Sequence, residues 1–367
     1  MVKNIGVPML FFFSLVLASF SLCNGTTKNV ARIYEIKRGD FSVRITNWGA
    51  TVVSVILPDS KGELADVVLG FDELSSYFND TTYFGATVGR VANRIKGAQF
   101  TLNGTHYKLV PNEGNNMLHG GHRGFSRVVW SLKSKREGEY PALTFSYHSF
   151  DGEQGFPGDV DVDVTYQIVG DYMLSVVMRA QPRNKATPVN LAQHTYWNLG
   201  GQNSGTILSN RVKIYSSSYT PVDAELIPTG QILSVSNTPY DFRHSTAVGE
   251  RIHEAQGGGY DLNYVLDSHP NKHGLSRAAT VHDPRSGRVL ELWTTAPGLQ
   301  FYTSGKLKDV VGKGGYVYEP YDGLCLETQG FPDSVNHPNF PSQIVEPGQV
   351  YKHKMLFRFR VSNGRSY

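Results

Sequence analysis

Past residue 30 the apolar positions recur mainly at every second residue, the spacing of a strand with one buried face. Phe41, Val43 and Ile45 alternate with Ser42, Arg44 and Thr46, and Asn47-Trp48-Gly49 then turns the chain into a second run over 51–57, which predicts a hairpin. A second hairpin is predicted where Phe100 and Leu102 lead into Asn103-Gly104 and out through Tyr107 and Leu109, because that dipeptide accepts the positive φ values of a tight primed turn. Val160, Val162 and Val164 alternate with Asp159, Asp161 and Asp163, and strand-like runs continue over 205–215, 289–295 and 323–327. Helical spacing is scarce; one helical turn is predicted over 73–78. No fixed-period repeat and no Pro/Ser-rich linker divides the sequence. The pattern predicts an all-β protein, a single large antiparallel β-sandwich over 26–367 with few short helices.

Composition supports this. With 38 Gly, 18 Pro, 20 Tyr and 19 Phe, the 367 residues are rich in turn formers and in aromatics that suit pleated, half-buried surfaces. The 35 basic and 32 acidic residues form no long single-sign run, so no nucleic-acid partner is expected. Asp159, Asp161 and Asp163 lack the oxygen-rich loop of a calcium site and are expected on a solvated sheet face.

The first residues have a different character. Lys3 precedes an apolar run from Met9 to Phe20, too short for a membrane span, followed by small polar residues. Residues 1–25 are therefore expected to be a secretory signal peptide, with cleavage between Ser21 and Thr27, a secreted product and no stable membrane association afterwards. Cleavage would remove Cys23 and leave Cys325 as the only thiol, so the fold must be held by its core rather than by disulfides. Asn79-Asp80-Thr81 and Asn103-Gly104-Thr105 match glycosylation acceptors.

Three polar groups stand among apolar residues: His119 in Met-Leu-His-Gly-Gly, His194 in Gln-His-Thr-Tyr-Trp-Asn-Leu-Gly, and Glu327 in Leu-Cys-Leu-Glu-Thr-Gln-Gly. Strand alternation puts Cys325 and Glu327 on the face opposite Leu324 and Leu326, with the carboxylate expected near a strand end beside a Gly-Phe-Pro turn. No zinc spacing, nucleophile elbow, phosphate loop or dinucleotide fingerprint is present, so neither metal nor cofactor is expected.

In combination the motifs resemble the aldose 1-epimerases (galactose mutarotases), from about residue 33 to about 356. The resemblance rests on Gly89-Arg90-Val91-Ala92-Asn93-Arg94-Ile95 with Gly97-Ala98-Gln99-Phe100, Asn116-Met117-Leu118-His119-Gly120-Gly121, His194-Thr195-Tyr196-Trp197-Asn198-Leu199, Pro297-Gly298-Leu299-Gln300-Phe301-Tyr302, and Glu327-Thr328-Gln329-Gly330-Phe331-Pro332-Asp333 with Asn336, in the expected order. It implies a supersandwich fold of the galactose mutarotase type and the interconversion of α and β anomers of free hexoses such as glucose and galactose. It further implies Glu327 as general base and His194 as general acid, with Arg94, His119, Asp261 and Gln300 holding sugar hydroxyls and Asn93 beside them. A monomer acting on a small sugar is expected.

One position departs from the family: Leu262, after Asp261, stands where a histidine is common. The competing readings are a secreted carbohydrate-binding protein without turnover, a glycoside hydrolase, which would need two flanking carboxylates, and a hexose-phosphate epimerase, which would need Arg90, Arg123 or Arg127 near the site.

Overall fold

A computed structural model describes Met1 and residues 30–362, and the expected leader, Met1 apart, lies outside the described residues. Strands dominate, and the only helical elements among the described residues are single 3-10 turns, one of them at Leu74–Phe78 where a helical turn is predicted.

Both hairpins form. Phe41–Thr46 pairs antiparallel with Thr51–Pro58, and Gln99–Leu102 pairs with Thr105–Lys108. The second turn is two residues long with φ of 51° at Asn103 and 77° at Gly104, which is why this dipeptide is tolerated there. Over Val160–Gly170, Val160, Val162 and Val164 are buried and Asp161 and Asp163 half-exposed. Lys133 engages Asp163, and Arg183 with His148 engages Asp161, which makes this a solvated, ion-paired face. The run over 205–215 is shorter than expected: only Arg211–Ile214 is strand, because the residues before it spend backbone bonds on turns and loops, such as Ile207 N to Tyr321 O.

Three sheets of four, six and nine strands carry the architecture. One continuous apolar cluster draws Val43 and Val55 from the first, Leu299, Phe301, Leu324 and Leu326 from the second, and Val176, Leu292, Phe357 and Phe359 from the third. The inner face of the six-stranded sheet is thus sealed against the core, and its other face is available for polar groups. No helix among the described residues is long and apolar enough to cross a membrane.

Candidate active site

Within the six-stranded sheet, Asp261–Val265, Gly298–Tyr302 and Leu324–Gln329 run side by side. Gln300 lies directly across from Glu327 in one ladder and from Asn263 in the next, which brings Asp261 diagonally beside it. Gln300 Nε2 donates to Asp261 Oδ1 at 2.7 Å. Leu324 and Leu326 enter the core, so period two sends Cys325 and Glu327 to the other face, as the sequence predicts. Glu327 stands near the end of this strand, as expected: Thr328 and Gln329 complete the ladder before the Gly330-Phe331-Pro332 turn, and the strand is buried along its whole length.

The histidines arrive on separate segments. His194 ends Ala192–His194, paired with Ala86–Val88. His119 follows Met117–Leu118, whose partner Arg94–Ile95 carries Arg94. Asn93 and His119 lock these together: His119 N–H donates to Asn93 O at 3.0 Å, and Asn93 N–H donates to His119 Nδ1 at 3.1 Å. Both residues, and Tyr83 opposite them, have φ between 52° and 64°; asparagine and histidine enter this left-handed region comparatively readily, whereas the bulky Tyr83 is held there by its surround.

All seven predicted site residues line one cavity of about 310 Å³: Asn93, Arg94, His119, His194, Asp261, Gln300 and Glu327. His194 Nε2 is 3.7 Å from Glu327 Oε1, and Tyr196 and Tyr83 stack on the imidazole with ring centroids 5.2 and 5.8 Å away. Cys325 Sγ lies 3.7 Å from the other nitrogen, Nδ1. Burial, then the Asp261 charge, pushes the Glu327 carboxyl well above the usual range, against a smaller opposing effect of Arg94. Burial also lowers His194 to about 4. His119 is held well below the ordinary imidazole value, chiefly by burial and then by His194 and Arg94. Glu327 Oε2 and Gln300 Oε1 are buried without a hydrogen-bond partner among the described residues. Unpaired buried acceptors are costly, so the cavity is built to receive donors from outside.

Arg94 has a fixed orientation: Nε and Nη2 reach the two oxygens of Glu113 at 2.6 and 2.8 Å, a bidentate pair. Glu113, Tyr83 and Lys306 also line the cavity, and no motif in the sequence marked them; Tyr302, which closes the motif over 297–302, lines it as well. Leu262 faces the core and a smaller adjoining hollow, not the main cavity, so the family departure does not alter its wall. None of Arg90, Arg123 and Arg127 lines the cavity. Arg90 is buried and donates to the carbonyls of Pro157 and Gly158 at 2.8 and 2.9 Å.

His119, His194 and Glu327 hold donor atoms within 4.8 Å of one another, a spacing that invites a metal. The chemistry of the set does not fit one. His119 Nδ1 already accepts the Asn93 N–H, so the proton of the neutral ring is on Nε2 and neither nitrogen has a free lone pair. That tautomer makes His119 a hydrogen-bond donor.

The sequence pattern described as aldose 1-epimerase matches residues 32–358. A galactose mutarotase from Bos taurus is 43% identical over 330 residues, covering 90% of this chain and 94% of that protein. An aldose 1-epimerase from Escherichia coli (strain K12) is 33% identical over 323 residues, covering 86% and 91%. Among solved structures, an aldose epimerase homologue from C. elegans superposes with a TM-score of 0.84 at 29% identity, covering 91% of this chain and all of that one.

Proposed function

The chain belongs to the aldose 1-epimerase family, and on that premise we propose that Glu327 and His194 are the proton-transfer pair with which it interconverts the α and β anomers of free hexoses, galactose and glucose among them. The protein is an isomerase whose reaction needs only protons to be managed. The ring hemiacetal opens, the C1–C2 bond rotates, and the ring closes on the other face of the aldehyde; no group leaves and no electrons are transferred. Glu327 takes the proton of the C1 hydroxyl while His194 gives one to the ring oxygen, and closure returns both protons.

One observation carries this assignment: His194 Nε2 and Glu327 Oε1 stand 3.7 Å apart in a sugar-sized cavity, with Glu327 Oε2 unpartnered. In the empty cavity burial favours the neutral form of each group, the carboxyl raised and the imidazole lowered. A sugar hydroxyl donating to Oε2 stabilises the carboxylate, which in turn stabilises an imidazolium beside it, so binding prepares the pair. Arg94, held by Glu113, and the Nε2–H of His119 offer donors to hydroxyls that do not change during the reaction, and Asp261 offers an acceptor. A site that grips those positions and leaves C1 to the acid and base accepts either anomer.

Secretion through a cleaved leader belongs to the same proposal. Asn79 and Asn103 are both exposed, as glycan carriers must be. All seven site residues come from one chain, which supports a monomer as the working unit. Polarimetry on freshly dissolved α-galactose and α-glucose tests the activity: purified protein should bring the rotation to equilibrium faster than buffer, and a rate equal to buffer would favour a binding protein instead.

A further inference from the structure

The outer face of the nine-stranded sheet carries charge in two ways. Around Val160–Gly170 the aspartates are matched by Lys133, His148 and Arg183. Across Tyr351–Val361, Arg288–Thr294, Ser276–His282 and Arg211–Ile214 the balance is lost. Period two sends Lys352, Lys354, Arg358 and Arg360 outward from one strand, and Arg277 and Lys213 from two others. Glu291 is the one carboxylate at an outward position of these four strands. Three guanidiniums share it: Arg277 at 2.9 Å, Arg360 at 3.2 Å and Arg358 at 3.8 Å. Arg179 lies across from Lys352. The Lys354 ammonium, with Arg179, lowers the Lys352 amine below its usual value, the signature of crowded like charge. Arg277 lies over the rings of both Trp293 and Tyr215, 5.0 and 5.4 Å from their centroids.

We propose that this face docks an acidic polysaccharide, a chain of uronate units. Neighbouring strands are about 4.8 Å apart, so the cations form a flat, regular array suited to an extended polymer with one carboxylate per unit. Trp293 and Tyr215 hold Arg277 over their rings, and Tyr215 holds Lys213 as well, which fixes these two cations in the array. The choice of a polysaccharide over other polyanions rests on the epimerase reading, since its cleavage releases free reducing sugars. The six-stranded sheet packs its inner face on Phe357 and Phe359, and the cavity opens on its far side, so a docked polymer leaves the cavity unobstructed.

The test is binding of the full-length protein to polygalacturonate by affinity electrophoresis, with anomer exchange measured on the same preparations. Wild type should be retarded at low salt and released as salt rises past about 0.15 M, where exposed charges are screened over about 8 Å. The triple variant Lys352→Glu, Lys354→Glu, Arg358→Glu should bind on the order of tenfold more weakly, and Lys352→Gln with Lys354→Gln should show a smaller loss, both with unchanged turnover. No retardation of wild type, equal retardation of a turnover-competent triple variant, or tighter binding to single-stranded DNA or to phosphatidylserine vesicles would overturn the proposal. Loss of turnover in wild type alone would strike the epimerase reading while leaving the polygalacturonate result intact.

Discussion

A carboxyl group buried within a strand, with one oxygen unpartnered, is a burden on the fold that only its chemistry explains. Because burial raises its folded-state pKa, Glu327 contributes fully to stability below the unfolded value near 4.5, and that contribution is lost as pH rises through the folded value. Glutamine suffers no such loss. Glu327→Gln should therefore melt about 2–4 °C above wild type at pH 8, with a smaller gap at pH 5, by calorimetry; a gap independent of pH would contradict the burial argument. Because the pair works with one proton shared between its members, kcat/KM should fall as pH rises through the raised carboxyl value, where that proton is lost, and on the acid side only near 4, where His194 takes up a second. Glu113 acts one step further out. Glu113→Gln should weaken the hold on Arg94 and raise KM by roughly tenfold with kcat nearly retained, measured by the concentration dependence of exchange. The proposed proton-transfer pair, with Asn93, Arg94, His119 and Gln300, is legible because each of these residues stands in a recognisable motif. Glu113, Tyr83 and Lys306 are not, since Pro-Asn-Glu-Gly or a single Lys carries no local sign of the cavity it will line.

At the level of elements, the hairpins and the long alternating strands could be read directly, because period two and an Asn-Gly turn are local properties. The loops that carry His119 and Asn93 were opaque. Their geometry depends on two distant segments crossing closely, and Gly120 shows how closely: a Cβ there would lie 2.1 Å from the Gly89 carbonyl oxygen, at a φ of 85°. Gly120→Ala is thus expected to cost about 3 kcal/mol, lower the melting temperature by roughly 5–10 °C and reduce kcat/KM by displacing His119. An unchanged melting temperature would show that the crossing is looser than described.

For the whole molecule, the three sheets enclose one core, and the two outer faces are left for different tasks: a neutralised, concave site on one and a basic array on the other. The leader is a separate matter, and N-terminal sequencing of secreted protein should begin between Ser21 and Lys28; an intact Met1 would remove the secretory proposal. The chemistry stands on the pairing of one carboxyl with one imidazole brought together from distant parts of the chain. Its most direct test is exchange between galactose anomers followed by NMR for wild type, Glu327→Gln and His194→Asn, with sugar binding measured alongside. Each variant should lose about 10²–10⁴-fold in turnover with sugar affinity nearly unchanged; near-normal turnover in either would contradict the account.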